Sequence, residues 1–360
     1  MGKLKKALLF LAMALLVLFL AACSGGSDDS GDSESSDTGG DSEGTEEAAE
    51  EGESADYPST VTIGTASQGG TYYIWGGGLA NLLEEHLGIT SNVEVTGGPV
   101  HNIQLLDADD IQIGMVTEGP LYEGIHGEGD WTGGNTYEDI RVIFPMYHTP
   151  FHWWSTAESG VTSILEHEGE RVGVGPAGGT PGTYNPLIYE ALGIETGDQV
   201  QAGASDMASQ MMDGQLDHIG FAAGIPIAAV TEIEAQMDIN IYGIDGEERE
   251  KVKEALPYFV DFVIPKDTYE SLDSDIETIA QYNFGVVHKN ANEDFVYDFV
   301  KAYHENIEQM ITTHASAEEA RDPEAILINE SYPMHPGAIR YYEEIGIELP
   351  EAVYPPEWNN

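Results

Sequence analysis

The sequence predicts an α/β protein of two similar lobes, because one succession of elements occurs twice. In the first copy, an apolar run at residues 61–63 enters a glycine turn at 64–71 and then a helical pattern. In the second, residues 171–174 enter a turn at 175–183, again followed by a helical pattern. A helix end, a polar turn and an apolar strand follow each copy. Ordinary α/β proteins also repeat strand–turn–helix units, but two matches in the same order favour two lobes.

Residues 1–23 have the layout of a secretory signal, with three lysines, an apolar run and small residues before Cys23. Cys23 is the only cysteine, so the chain has no disulfide within itself. Its position resembles a bacterial lipobox, in which cleavage leaves the cysteine as the lipidated N-terminus. An uncleaved anchor helix and an unmodified thiol are the alternatives. We therefore predict lipidation at Cys23 and an extracytoplasmic protein anchored to the cell membrane.

Residues 24–58 contain 13 acidic residues and no basic one, and almost no apolar side chains. Such a segment cannot form a core, and we predict a disordered acidic tether between the lipid and the folded part. The folded part is also acidic, with only ten Lys or Arg in residues 59–360. That charge is typical of a surface kept soluble at high salt, or of an acidic, cation-buffering surface. It makes nucleic-acid binding improbable.

Strands and helices alternate up to about residue 265, which favours mainly parallel sheets. Apolar runs rich in β-branched and aromatic residues predict strands at 60–64, 92–95, 111–116, 141–146, 152–156, 171–175, 199–202, 217–222, 239–243, 258–264 and 284–287. Helical spacing of apolar residues predicts helices at 71–87, 100–107, 119–126, 161–167, 183–192, 204–213, 225–236, 247–255, 293–312, 316–328 and 336–345.

The apolar segment 140–155 contains two prolines and predicts a bent strand that crosses between the lobes. A second crossing is then needed, and residues 258–265 are the candidate. The two crossings would form a two-strand hinge. This divides the chain into lobe I, residues 59–147 and 265–360, and lobe II, residues 148–264.

The sequence offers little for catalysis, and we predict no enzymatic activity and no cofactor. It has no Gly-x-Ser-x-Gly motif, and neither glycine turn is followed by the Gly-Lys-Ser/Thr of a phosphate loop. His148 and His152 are four residues apart, but Pro150 separates them and no third metal ligand is evident. We therefore predict neither catalytic residues nor a metal site.

The two glycine turns suit an anionic ligand instead. Glycine lets backbone N–H groups approach a ligand closely, and a helix N-terminus favours negative charge. No basic residue lies in either turn, so a bound carboxylate would rely on backbone amides and hydroxyl groups; Arg141 and Arg171 are the nearest cations in sequence. The alternative is that the glycines serve only the fold. The candidate residues of the turns are Gly69, Gly70, Thr71, Tyr72, Gly178, Gly179, Thr180, Thr183 and Tyr184.

Three segments together resemble the TAXI family of solute receptors, the TRAP-associated extracytoplasmic immunogenic proteins. They are residues 63–73, 95–102 and 333–342, within a resemblance that covers about 60–347. The resemblance implies a two-lobed, type II-like periplasmic-binding-protein fold with a ligand cleft between the lobes. Carried over by motif, it adds Thr96, Asn102 and Thr117 to the ligand contacts already named, and we also include Ala223 and Gly224. The second turn departs from the family pattern, so Thr180 and Thr183 compete for one role.

The family's role implies a monomeric binding protein of a tripartite ATP-independent (TRAP) transporter. It would capture a small organic acid or amino acid, with glutamate or a related dicarboxylate expected, and deliver it to a membrane permease. A solute sensor that acts with a signalling partner remains the alternative.

Overall fold

The computed structural model describes residues 57–358, which fold into two lobes. The predicted signal and lipidation site lie outside these residues, as does the predicted tether except for its last two residues. Those two are part of the folded structure. Tyr57 packs edge-on against Phe295, with 6.2 Å between ring centroids, and donates a hydrogen bond to Asp298. The folded part therefore includes Tyr57, two residues before the predicted start.

In lobe I the strands lie in the order β2-β1-β3-β10-β4, where β1 and β2 form a two-stranded sheet and the other three belong to an eight-stranded sheet that continues into lobe II. The strands of lobe I are β1 (Thr60–Gly64), β2 (Thr90–Glu94), β3 (Gly114–Thr117), β10 (Ile276–His288) and β4 (Ile140–Thr156). A parallel bridge between Ile63 and Ile113 joins β1 to the β3 side. The helices are α1 (Thr71–Leu82), α2 (Pro99–Asp107), α3 (Glu118–His126), α8 (Glu293–Glu305), α9 (Ile307–Thr313) and α10 (Pro336–Glu344).

Lobe II repeats this order with its own strands, β6-β5-β7-β4-β8. Besides β4, these are β5 (Val172–Gly173), β6 (Gln199–Val200), β7 (His218–Ala222) and β8 (Ile239–Tyr242). The strand β9 (Val260–Ile264) pairs with β10. The helices are α4 (Thr180–Leu192), α5 (Ala204–Met212), α6 (Ala228–Glu234) and α7 (Gly246–Ala255). The predicted internal repeat is therefore present in the fold.

The sheets are mixed rather than mainly parallel. The pairs β1–β2, β5–β6 and β5–β7 are parallel, as predicted. In each lobe, however, a strand that comes from the other lobe is antiparallel to both of its neighbours. In lobe I this is β10, between β3 and β4, and in lobe II it is β4, between β7 and β8. Alternation along the chain could not reveal this, because each inserted strand belongs to a distant stretch of sequence.

The first crossing is one strand of 17 residues, β4, as segment 140–155 predicted, and it also includes the residues between the predicted strands 141–146 and 152–156. Its first half pairs with β10 in lobe I and its second half with β7 and β8 in lobe II. The register of β10 shifts between Tyr282 and Phe284, opposite Pro145. A bulge at this point lets the ladder continue past a residue that has no N–H to donate.

The return crossing is β10, not the predicted segment 258–265. The strand β9 within that segment pairs only with the lobe II half of β10, at residues 276–280. The packing agrees: Ile264 and Tyr269 belong to the core of lobe II, and Tyr282 and Phe284 to that of lobe I. We therefore propose that lobe II extends to about residue 280 and that lobe I resumes there, instead of at 265.

Several predicted helices are shorter or divided. The predicted helix 71–87 ends as α1 at Leu82 and continues as a π-helical turn, Leu83–Leu87. The long C-terminal helix divides at Asn306 into α8 and α9. Residues 161–167 and 316–328 contain only 3₁₀ turns, Ile164–His167, Ala315–Ala320 and Pro323–Ile328. Among residues 57–358, no helix combines the length and apolar character needed to cross a membrane.

Candidate functional site

A cavity lies between the two lobes at the start of α1 and α4. Lobe I lines it with the first glycine turn and the start of α2, lobe II with the second glycine turn and the end of β7, and the crossing strand β4 adds Thr149. The lining residues are Ala66, Ser67, Gly70, Thr71, Tyr72, Pro99, Thr149, Pro176, Gly179, Thr180, Pro181, Phe221, Ala222 and Ala223. The repeated units therefore supply one wall each.

The cavity has a volume of about 30 Å³. Sites for small organic ligands usually measure several hundred Å³, whereas this space admits only one or a few water molecules. Larger depressions, such as one of about 600 Å³ beside Tyr57 and Asn292, are lined by no residue of the two glycine turns. The lobes are therefore in a closed conformation that leaves no room for a small organic solute.

Both walls present the N-terminus of a helix without a side-chain cap. Gly70 precedes α1 and Gly179 precedes α4 in nearly the same extended conformation, with φ, ψ of −96°, 160° and −84°, 155°. Neither residue offers a side-chain acceptor to the first N–H groups of its helix. These groups carry the positive end of the helix dipole, so each wall favours an anionic group in the cavity.

None of the lining residues carries a charged side chain. The two cations nearest in sequence are engaged elsewhere. Arg141 makes two bonds to the Glu357 carboxylate, of 2.5 and 2.9 Å, and Arg171 donates to the backbone carbonyl of Gln215. An anion in this cavity would therefore be held by dipoles and hydrogen-bond donors, as the sequence predicted.

The two lobes touch through the residues of the repeated turns. The Oγ1 atoms of Thr117 and Thr180 are 3.0 Å apart, and Thr71 Oγ1 donates to the Gly224 carbonyl at 2.5 Å. The backbone N–H of Val100 donates to the carbonyl of Gly178 at 3.0 Å. Several predicted ligand contacts thus serve closure in this conformation.

Glycine is required where the turns meet. A Cβ atom on Gly97 would lie 2.7 Å from the carbonyl oxygen of Ala177 in the other lobe. One on Gly98 would lie 2.8 Å from the Cα of Gly179, and Gly98 also has a φ of +116°. Since real Cβ atoms do not approach backbone this closely, any larger residue at these positions would hold the lobes apart.

Tyr72 joins the cavity to the hinge. Its ring lines the cavity, and its hydroxyl donates to Asn283 Oδ1 on β10 at 2.5 Å. Asn283 Nδ2 donates in turn to Thr149 Oγ1 on β4 at 2.7 Å. Burial raises the pKa of Tyr72 well above its usual value, so the phenol remains a hydrogen-bond donor. The predicted cleft residue is thus tied to both crossing strands.

A second contact between the lobes is centred on Glu123 of α3. Its Oε1 accepts hydrogen bonds from Tyr184 at 3.0 Å and Tyr258 at 2.8 Å, both in lobe II. Its Oε2 accepts from Trp131 Nε1 of lobe I at 2.6 Å. We call Glu123, Trp131, Tyr184 and Tyr258 the Glu123 cluster. Glu123 is only 5% exposed, so these hydrogen bonds replace those that its carboxylate would otherwise make to water.

The cavity contains six of the 14 predicted ligand residues: Gly70, Thr71, Tyr72, Gly179, Thr180 and Ala223. Between the competing threonines, Thr180 lines the cavity, whereas Thr183 lies one helical turn further along α4. The other predicted residues stand behind the walls or between the lobes; they are Gly69, Thr96, Asn102, Thr117, Gly178, Thr183, Tyr184 and Gly224.

Thr96 and Asn102 support the first wall rather than line it. Thr96 Oγ1 bonds to the Thr65 carbonyl at 2.8 Å and to Asn102 Oδ1 at 2.7 Å. Asn102 Nδ2 donates to the carbonyls of Thr65 and Met115, each at 2.9 Å. These bonds connect the ends of β1, β2 and β3, which fixes the position of the first turn.

Eight lining residues were not among the predicted ones: Ala66, Ser67, Pro99, Thr149, Pro176, Pro181, Phe221 and Ala222. Most of them lie inside motifs that the sequence had already indicated. Assigning whole turns to the cavity lining, instead of selected residues, would have included them. Thr149 carried no such signal beyond its place in the crossing strand. The Glu123 cluster joins residues up to 135 positions apart, and no local pattern indicates it.

Comparison with known proteins agrees with this architecture. A model of the NMT1-like family matches residues 63–346. The chain belongs to the NMT1-like family. The matched residues span both lobes and both crossing strands.

Two solved structures have the same fold as this NMT1-like protein. The periplasmic binding protein BugD is 14% identical, with a TM-score of 0.52, and the match covers 81% of this chain and 100% of BugD. MatC from Rhodopseudomonas palustris with bound malate is also 14% identical, with a TM-score of 0.52 and 79% and 98% coverage. The predicted α/β periplasmic-binding-protein fold is confirmed.

Proposed function

We propose that this protein is the lipid-anchored, extracytoplasmic solute-binding protein of a TRAP transporter of the TAXI type. The observation that carries the proposal is the pair of uncapped helix N-termini, one from each lobe, that open on a single cavity. A small acid can enter only after the lobes have opened, and the cavity that then closes around it is larger than the one of about 30 Å³ in this conformation. Capture by hinge closure is how a binding protein favours its liganded state.

The hinge supports the same proposal. Two long strands, β4 and β10, connect the lobes and pair with each other through residues 280–288 of β10. Asn283 and Thr149 link these strands directly beneath the cavity. A solute that contacts Thr149 and Tyr72 would therefore contact the hinge as well as both walls.

The remaining assignments rest on the sequence. The lipobox-like Cys23 supports a membrane anchor, and the TAXI-like motifs support delivery of the solute to a TRAP permease by a monomeric receptor. The solute class is a small organic acid or amino acid, with glutamate or a related dicarboxylate as the first candidates. The malate bound in MatC is a further member to include in a screen.

The function is tested by identifying the solute. Protein purified without denaturation would be analysed by mass spectrometry for a co-purified acid, and a thermal-shift screen of dicarboxylates and amino acids would be run in parallel at high salt. We expect one small acid to raise the melting temperature in a concentration-dependent manner. Absence of stabilisation by every member at millimolar concentration would contradict the proposal.

A further inference from the structure

We infer that the cavity selects small carboxylates without an ammonium group, so that hydroxy acids and simple dicarboxylates are bound in preference to the matching amino acids. The inference rests on the proposed function and narrows its solute class. It follows from the charge of the side chains and helix N-termini that line the cavity and of the carboxylates nearby.

An amino acid brings a positive charge into the site. Moving an ammonium group out of water is costly unless a carboxylate or several acceptors replace its hydration. No Asp or Glu is among the lining residues. The polar side chains that line the cavity are the hydroxyls of Ser67, Thr71, Tyr72, Thr149 and Thr180. All five already bond to protein groups: Ser67 to the Ala204 N–H, Thr71 to the Gly224 carbonyl, Tyr72 and Thr149 to Asn283, and Thr180 to Thr117.

The backbone makes the same distinction. The positive ends of α1 and α4 both face the cavity, one from each lobe. A carboxylate is attracted by either helix N-terminus, while an ammonium group is repelled by both. A ligand with a carboxylate at each end and no cation between them therefore suits the cavity best.

The carboxylates nearest the site in sequence that are buried or half-buried, Glu123 and Glu118, are occupied. Glu123 accepts three hydrogen bonds from Trp131, Tyr184 and Tyr258. Glu118 follows the lobe-contact residue Thr117, but its carboxyl group bonds to Tyr332, and burial raises its pKa. Neither is among the lining residues, so neither replaces the missing partner of an ammonium group.

The test compares ligands that differ at one substituent. Isothermal titration of the full chain at high salt would pair L-malate and succinate with L-aspartate, glutarate with L-glutamate, and L-lactate with L-alanine. In any pair that binds, we expect the ammonium-free member to bind more tightly, on the order of 10- to 100-fold. This is the cost of leaving one buried polar group without a partner. Equal or tighter binding of the amino acid would overturn the inference and leave the proposed function intact.

Two further results complete the test. Thr180→Ala should weaken the preferred ligand while Thr183→Ala does not, because only Thr180 lines the cavity; unchanged affinity in Thr180→Ala would place the ligand elsewhere and overturn the inference. If no member of any pair binds, the proposed function itself fails, and the inference with it.

Discussion

Tyr184 of lobe II donates a hydrogen bond to Glu123 of lobe I, with 3.0 Å between the phenol and carboxylate oxygens. The sequence singled out Tyr184 as a ligand contact because it follows the second glycine turn. In the closed conformation its hydroxyl instead meets a carboxylate from the other lobe. Burial raises the pKa of Tyr184 well above its usual value, so the phenol keeps the proton that this bond needs.

Removing this hydroxyl should destabilise closure. Tyr184→Phe would leave Glu123 with its bonds to Tyr258 and Trp131, at a cost of about 1.5–3 kcal/mol for one lost bond to a charged group. We expect faster solute dissociation, measured by stopped-flow fluorescence. Tyr297→Phe is a matched control, because Tyr297 also donates to a carboxylate, Glu344, but does so on the exposed surface of lobe I. Equal dissociation rates in the two variants would show that the Glu123 cluster does not stabilise closure.

Gly97→Ala should hold the lobes apart. The new methyl group would lie 2.7 Å from the Ala177 carbonyl oxygen only when the lobes are closed. Gly77→Ala places the same methyl group where no atom lies within 4 Å. We expect Gly97→Ala to fold normally, to have a larger radius of gyration by small-angle scattering and to bind solute at least about tenfold more weakly. An unchanged radius and affinity would mean that the Gly97 contact is not part of the bound state.

Thr180 and Thr183 should differ in their effect on affinity. Thr180→Ala removes a hydroxyl that lines the cavity and bonds to Thr117, and we expect a loss of about 1 kcal/mol in binding free energy by calorimetry. Thr183→Ala removes a hydroxyl one turn further along α4, so affinity should change little. The opposite order would assign the ligand-binding role to Thr183.

Folding stability should fall between pH 6.5 and about pH 3. Burial lowers the pKa of His152 and His335 to about 4 and that of His167 and His304 to about 3. Because the folded-state values lie below 6.5, the unfolded chain binds more protons as the pH falls. The contribution of these neutral histidines to the free energy of unfolding is fully present above pH 6.5. It is lost progressively as the pH falls toward their folded-state pKa values.

Thermal denaturation between about pH 3 and pH 6.5 tests this coupling of histidine protonation to folding stability. His304→Gln should make the pH dependence shallower by about 1.4 kcal/mol per unit, the contribution of one proton. His86→Gln, at an exposed position near the end of α1, controls for the substitution itself. A pH profile that His304→Gln leaves unaltered would contradict the role assigned to burial of His304.

The sequence predicted those parts of the fold whose signals are local. Both repeated units, their turns and the first crossing follow from residue order and apolar spacing. The return crossing did not, because the apolar segment 258–265 resembles a crossing strand as closely as β10 does. Only the pairing of β10 with β3 and β4, which lie far away in sequence, distinguishes them.

The site was predicted in the same uneven manner. Gly70, Thr71, Gly179 and Thr180 were found because glycine and threonine at a helix start have a local meaning. Asn102 was assigned to the ligand but is buried in a network that positions the first turn. A buried amide and a ligand-binding amide are alike in sequence, and their surroundings alone separate them.

The central claim is that a small carboxylate closes the two lobes over the cavity between α1 and α4. Pulsed electron–electron double resonance would measure it on the full chain with Cys23→Ser and spin labels at two exposed positions, Glu85→Cys in lobe I and Glu190→Cys in lobe II. We expect the acid that binds by calorimetry to shift the label distances to one narrow, closed distribution, and Gly97→Ala to prevent the shift. An identical distance distribution with and without the bound acid would contradict the central claim.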